Sequence, residues 1–320
     1  MKVSYIYSAP WFGGGKPGFS LDGLAELTFG YSGFFLADVV VVHAPSMLNC
    51  GYHDEVFQLR RNAPHSQIWL LETAESAVNY PPQVEAHFRG LFDAEISYRQ
   101  TAELWTPYMN PDLFGGYRDA DTGVRPELCC AFVSSGVNNS HRQQYMEALM
   151  QHMEVASFGR FMNNRVLNDD HGQQSKLAAM RNFTYTLSFE NAIEPDYVTE
   201  KFFDPFLAGT IPIYLGAPNV EEFAPGNDCY IDASRFPDPA TLAQFLRREN
   251  PQRFHRWRQA PLKASLLSML DRISTPFAVR FMELATRLLN AAPRGRASGD
   301  YHVPLRLSSK PVPKGKTPLP

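Results

Sequence analysis

The chain has 320 residues, 44% of them apolar and 20% charged, a globular composition that excludes a disordered chain. Its net charge of −3 leaves no basic footprint for nucleic acid or an anionic membrane surface. No apolar stretch approaches the ~20 residues of a membrane span, and the N-terminal apolar run is too short for a signal peptide, so the expected location is cytoplasmic or peripheral to a membrane. The four cysteines, Cys50, Cys129, Cys130 and Cys229, lack zinc-site spacing, and the adjacent Cys129 and Cys130 at the start of an apolar run read as buried thiols.

Along the chain, strand and helix patterns alternate. Val3–Tyr7 is a short apolar run, followed by the glycine-rich loop WFGGGKPG. Leu21–Thr28 has helical spacing. Asp38–His43 is β-branched and continuous, as expected of a strand covered on both faces. Gln67–Leu71 and Ala94–Tyr98 are further strands, with a helix expected at Gln83–Leu91 between them. A second series of strands is expected at Cys129–Ser134, Val155–Phe158, Tyr185–Phe189, Ile211–Leu215 and Cys229–Ile231. Helices fill Ser140–Met153, Ser175–Arg181, Val198–Leu207 and Pro239–Arg248, and Pro276–Leu289 is helical in spacing. Such alternation implies parallel sheets with helices on both faces, and two series imply two Rossmann-like domains facing across a cleft. The aperiodic stretch Asp112–Glu127 marks the boundary, giving domains at 1–125 and 126–275. Residues 276–320 then form a C-terminal helix and a tail, Ala292–Pro320, too poor in large apolar residues to pack.

The stretch Phe189–Pro225, FENAIEPDYVTEKFFDPFLAGTIPIYLGAPNVEEFAP, sets Glu190, Asn191, Asp196, Tyr197, Glu200 and Lys201 between two buried apolar runs. Strand, polar loop and helix start in that order make a phosphate-facing βα turn. Thr199 or Asp196 can cap the helix, whose N-terminus offers free N–H groups and a positive partial charge. Lys201 in the first turn runs against that dipole. It is either a solvated surface lysine or a cation that shares a bound anion with the helix N-terminus. Gly209 and Gly216 end the helix and the following strand and need no function beyond backbone geometry.

That stretch closely resembles the donor-binding signature of the α1,3-fucosyltransferases. Its N…DYVTEK, AGT-PI and LGAPN-EEFAP elements are most similar to the plant core α1,3-fucosyltransferase branch. Shorter resemblances flank it: ESAVNYPP at Glu75–Pro82, SYR at Ser97–Arg99, FVSS with Asn139 and Arg142, and SFG…NNR at Ser157–Arg165. Together they reach from Gln67 to Phe236. The resemblance implies a GT-B fold and inverting transfer of L-fucose from GDP-fucose to a GlcNAc or glucose hydroxyl of a glycan acceptor. In this reading no cofactor is required.

By the same resemblance Glu190, Asn191, Tyr197, Glu200 and Lys201 belong to the nucleotide-sugar site. Lys201 neutralises the diphosphate and Glu200 holds sugar hydroxyls. The family carries a basic residue where this chain has Asn163. Arg160 and Arg165 flank that position, and with Arg142 they are the candidates for the diphosphate grip that asparagine cannot supply. An inverting transfer also needs a carboxylate to take the acceptor proton. Glu72 and Glu75 follow the strand QIWLL, and the resemblance selects Glu75, through Ser76, Ala77, Tyr80 and Pro81, with Glu72 as the alternate. The alternatives are a GT-B transferase for another GDP-sugar and a non-catalytic glycan-binding homologue.

Three further motifs are set aside. Asp119-Ala120-Asp121 has the DxD form of metal-dependent transferases but does not follow a strand. Gly13-Gly14-Gly15-Lys16 lacks the P-loop pattern, since Pro17 follows the lysine. Asp169-Asp170-His171 has no further ligands at metal-site spacing, so no metal site is expected.

Overall fold

A computed structural model describes residues 1–6, 21, 23–31, 33–51, 53–111, 114–167 and 170–291. The loop Gly13–Lys16, Asp169 and the expected tail from Ala292 lie outside them. The chain divides into two compact units: Met1–Thr106, joined by the segment that begins at Thr275, and Pro107–Ser274.

The first unit is built on β1 (Lys2–Ile6), β2 (Glu26–Phe29), β3 (Val39–His43), α1 (Ala44–Asn49), α2 (His53–Asn62), β4 (Ile68–Thr73), α3 (Ala86–Arg89), β5 (Ala94–Ser97) and β6 (Leu104–Trp105). Its six strands lie in the order β2-β1-β3-β4-β5-β6, each pair parallel. Strand periodicity divides the valines of β3 between two cores. Val39 and Val41 join one apolar cluster with Val3, Ile68 and Leu70. Val40 and Val42 join another with Trp69, Leu71, Met47, Val56 and Leu59. Both faces are covered, which is why the run is uninterrupted by polar residues.

Two sequence expectations change here. Leu21–Thr28 is not a helix. It holds a turn and the edge strand β2, in register with β1 from Lys2↔Glu26 to Tyr5↔Phe29. Gly23 and Gly30, both at positive φ, flank β2. Gln83–Leu91 is not one helix but a 3₁₀ turn at Pro81–Val84 followed by α3, with Glu85 extended between them. Pro81 and Pro82 withhold N–H donors at the start.

The second unit contains α4 (Phe114–Asp119), β7 (Glu127–Ala131), α5 (Arg142–Met150), β8 (Ala156–Ser157), α6 (Gln173–Met180), β9 (Phe183–Phe189), α7 (Glu200–Ala208), β10 (Ile211–Leu215), β11 (Ile231–Asp232), α8 (Pro239–Arg248) and α9 (Ala264–Arg272). Its sheet runs β11-β10-β9-β7-β8, again parallel throughout. Tyr185, Leu187, Phe189, Ile211 and Ile213 face Met146 and Leu149 of α5 and Leu242 and Leu246 of α8. Cys130 and Phe183 face Met180 and Ala208 on the other side. The stretch read as an aperiodic boundary contains α4, whose Tyr117 packs edge-on against Phe206 of α7 at 6.1 Å.

The last helix, α10 (Phe277–Ala291), returns to the first unit. Its Phe277, Phe281, Leu284 and Ala285 pack on the sheet face that carries Val39 and Val41. Among the described residues no helix is long and apolar enough to cross a membrane.

Candidate active-site residues

The carboxyl ends of parallel strands leave polar loops, and in the second unit these loops carry most of the candidate site residues. Strand β9 delivers Glu190 and Asn191 immediately past its last residue. Glu190 is fully buried. Its Oε1 accepts the Thr199 N–H at 2.8 Å and its Oε2 accepts the Thr199 hydroxyl at 2.8 Å. Thr199 is the N-cap of α7, its side chain accepting the Lys201 N–H. Lys201 Nζ donates to Thr199 Oγ1 at 3.0 Å and to Glu200 Oε1 at 3.2 Å, and lies 3.6 Å from Glu190 Oε2.

The electrostatics follow from this crowding. Burial pushes the Glu190 carboxyl above its usual range, although the Lys201 charge and the Thr199 donors pull it back. Burial opposes the Lys201 charge, but Glu200 and Glu190 outweigh it and raise the ammonium above its usual value. Glu200, whose side chain is 42% exposed, is held below the ordinary carboxylate range because Lys201 and Lys176 together overcome its desolvation. A cation is thus fixed at the N-terminus of a nine-residue helix, where free N–H groups already favour an anion.

The loop ahead of α7 is clamped by Asn219, in the loop that follows β10. Asp196 is left-handed, with φ of 67°. Its N–H donates to Asn219 Oδ1 and its Oδ1 accepts from Asn219 Nδ2, both at 2.8 Å. Asn219 belongs to the LGAPN element, to which the sequence reading gave no role. Tyr197 is buried and its ring meets Tyr108 edge-on at 6.3 Å. Gly216 is required by close approach: a Cβ there would sit 2.6 Å from Glu190 Cγ. Gly209 closes α7 in the left-handed conformation, as the sequence suggests.

The three arginine candidates and Asn163 separate. Arg142 is buried and donates to the carbonyls of Phe189, Ser135 and Val137 at 3.1–3.2 Å. It therefore braces the loop beside Asn191, while its charge is felt at Lys201. Asn163 is exposed, and its Nδ2 is spent within its own loop, donating to the carbonyls of Phe158, Gly159 and Arg165. Arg165 pairs with Glu127 at 2.6 Å. Glu127 begins β7, so this contact lies at the opposite end of the sheet from Lys201. Arg160 is exposed on the loop past the carboxyl end of β8, the edge that also carries Glu190 and Asn191.

In the first unit, β4 runs two residues beyond QIWLL. Glu72 therefore sits inside the strand, opposite His43 and Ile96, rather than in the loop after it. It is buried, with His43 Nε2 at 3.6 Å from Oε2. His43 itself caps α1, its Nδ1 accepting the Ser46 N–H. Glu75 lies past the strand and is partly exposed. Thr73 Oγ1 bonds both its N–H and its carbonyl, at 3.2 and 3.1 Å. Tyr80 sits close enough for the Glu75 charge to raise its hydroxyl pKa further after burial has raised it. A proton acceptor must touch the incoming hydroxyl, and of the two carboxylates Glu75 is the accessible one.

Two of the set-aside motifs have local roles among the described residues. Asp121 Oδ1 accepts the Gly123 N–H and Oδ2 pairs with Arg125, a turn rather than a ligand set. Asp170 accepts the Gly172 N–H. Among the described residues no group of three or more His, Cys, Asp or Glu side chains is arranged to hold a metal ion.

Two parallel α/β units of Rossmann type, with polar loops at the carboxyl ends of their strands, define the GT-B class of glycosyltransferases. A crystal structure of an α1,3-fucosyltransferase with GDP-fucose matches in fold over 90% of both chains, with a TM-score of 0.54 at 16% identity. Residues 123–282, half of the chain, match the family model of the C-terminal part of glycosyltransferase family 10 (fucosyltransferase), and the chain belongs to this family. It is 29% identical over 229 residues to the α-(1,3)-fucosyltransferase B of Drosophila melanogaster, covering 64% of this chain and 51% of that protein. It is 36% identical over 206 residues to the GDP-fucose protein O-fucosyltransferase 3 of Mus musculus, covering 59% of this chain and 42% of that protein. The chain thus spans about half the length of the curated relatives it matches.

Proposed function

We propose that the protein transfers L-fucose from GDP-fucose to a GlcNAc or glucose hydroxyl of a glycan, forming an α1,3 linkage with inversion at the anomeric carbon. The observation that carries this reading is Lys201 fixed by Glu190, Glu200 and Thr199 at the N-terminus of α7. In the second unit, Lys201 and the helix N–H groups neutralise the diphosphate as the bond from the anomeric carbon to its oxygen breaks and the electron pair leaves with GDP. Glu200 holds sugar hydroxyls, and Asn191 and Arg160 line the same strand edge. Tyr197 and Arg142 support the loops from beneath. From the first unit, Glu75 takes the proton of the acceptor hydroxyl as its oxygen attacks the anomeric carbon. No cofactor enters this reading.

A second reading keeps the donor and changes the acceptor to a protein hydroxyl. It is favoured by the 36% identity to the mouse protein O-fucosyltransferase named above. Labelled GDP-fucose offered to a glycan array and to folded protein domains distinguishes the two. Label on GlcNAc-terminated glycans is the expected result, and label on serine or threonine selects the second reading. GDP at a hundred times its Kd adds roughly 2.7 kcal/mol of stability by mass action. Equal thermal stabilisation by UDP, or transfer from another GDP-sugar in preference to GDP-fucose, refutes the donor assignment.

A further inference from the structure

The loop that carries Glu75 is held by two side chains with no part in the donor site. Gln83 is fully buried in the first unit and its Nε2 donates to the Glu75 carbonyl at 2.9 Å. A carbonyl accepts only from the NH₂ end, so the amide orientation is fixed. Its Oε1 is then buried with no hydrogen-bond partner among the described residues. That is a cost which a methionine or leucine of similar size would avoid. What glutamine supplies in exchange is the N–H on the Glu75 backbone. Two residues past Glu75, the Ala77 N–H donates to the hydroxyl of fully buried Tyr98 at 3.3 Å. Tyr98 is anchored in turn. Its carbonyl accepts Trp105 Nε1 at 2.8 Å, and the Trp105 carbonyl accepts Arg280 Nη1 of α10 at 2.8 Å.

We infer that Gln83 and Tyr98 are positioning residues for Glu75, fixing the backbone at its carbonyl and again two residues past it so that the carboxylate meets the acceptor hydroxyl. The inference rests on the reading of Glu75 as the base. It extends that reading to a line of contacts running from the C-terminal helix to the proton acceptor, within one unit.

The test is a set of variants: Gln83→Met and Tyr98→Phe, each alone and combined with Glu75→Gln. Both remove a polar contact at nearly constant volume. A displacement of about one ångström at a reacting group costs up to ~10²-fold, so each single variant is expected to lower kcat by roughly 10- to 100-fold. GDP affinity, read by calorimetry, stays unchanged, because the donor groups lie in the other unit. In the Glu75→Gln background neither change lowers the residual turnover further, since a residue that acts through Glu75 has nothing left to position. A merely structural role would cost the same factor in both backgrounds, and that result overturns the inference, as does wild-type turnover in both single variants. Should Gln83→Met lose its cooperative melt, Tyr98→Phe carries the comparison alone. Full turnover by Glu75→Gln itself refutes the base assignment and is read separately from the same experiment.

Discussion

Replacing Lys201 by alanine perturbs two things at once. Glu190 is fully buried, and Lys201 Nζ lies 3.6 Å from its Oε2. Removing one partner of a buried pair strands the other charge and costs 3–5 kcal/mol in general; Lys201 is 21% exposed, so the lower end applies, about 3 kcal/mol. At 2–4 °C per kcal/mol, this is a loss of roughly 6–12 °C in Tm. The deficit should depend on pH. Burial already raises the Glu190 pKa in the folded protein, and loss of Lys201 raises it further. A group whose folded pKa lies above its unfolded value stabilises below the unfolded pKa, and that contribution is lost as pH rises through the folded value. The variant's deficit should therefore be larger at about pH 7.5 than at about pH 5. GDP affinity should fall as well, by roughly 10- to 150-fold, the equivalent of about 1.5–3 kcal/mol for a charge-assisted contact. Differential scanning calorimetry at the two pH values, with titration of GDP, measures all three effects. A Tm deficit independent of pH refutes the coupling to Glu190, and unchanged GDP affinity refutes the placement of the diphosphate.

Glu75→Gln should lower transfer by ~10²–10⁴-fold while GDP-fucose binding persists. Glu72→Gln, inside β4 against His43, should instead lower Tm and leave most of the turnover. Arg160→Ala should weaken GDP binding about tenfold, the value of one charge-assisted contact, whereas Arg165→Ala should not, because Arg165 is engaged with Glu127. Isothermal titration of the two variants decides between them. Asn219→Ala removes two hydrogen bonds to Asp196, which sits in the left-handed conformation. It should raise the Kd for GDP and increase amide exchange at Asp196–Lys201, and unaltered exchange there refutes the clamp.

Local sequence was sufficient wherever one element carries its own signal. The four valines of β3, the matched run of β10 and the capped, proline-started helix α8 fall within a residue or two of their expected bounds. The stretch from Phe189 to Pro225 put Glu190, Thr199 and Lys201 in one turn, because a strand end and a helix start so close in sequence cannot be far apart in space. Distant partners were not legible. Leu21–Thr28 has helical spacing, yet pairing with β1 makes its last three residues part of an edge strand, since a strand's hydrogen bonds come from its neighbour. Nothing near Gln83 or Tyr98 announces Glu75, for Gln83 reaches its carbonyl and Tyr98 reaches the Ala77 amide from other segments. The sequence offered Arg160 and Arg165 as equals, and the parallel register separated them by sending one to each end of the sheet. Residues 277–291 were legible as a helix, but their return to the first sheet was not. An amphipathic stripe specifies that an apolar face must be covered, and the tertiary structure decides by which face.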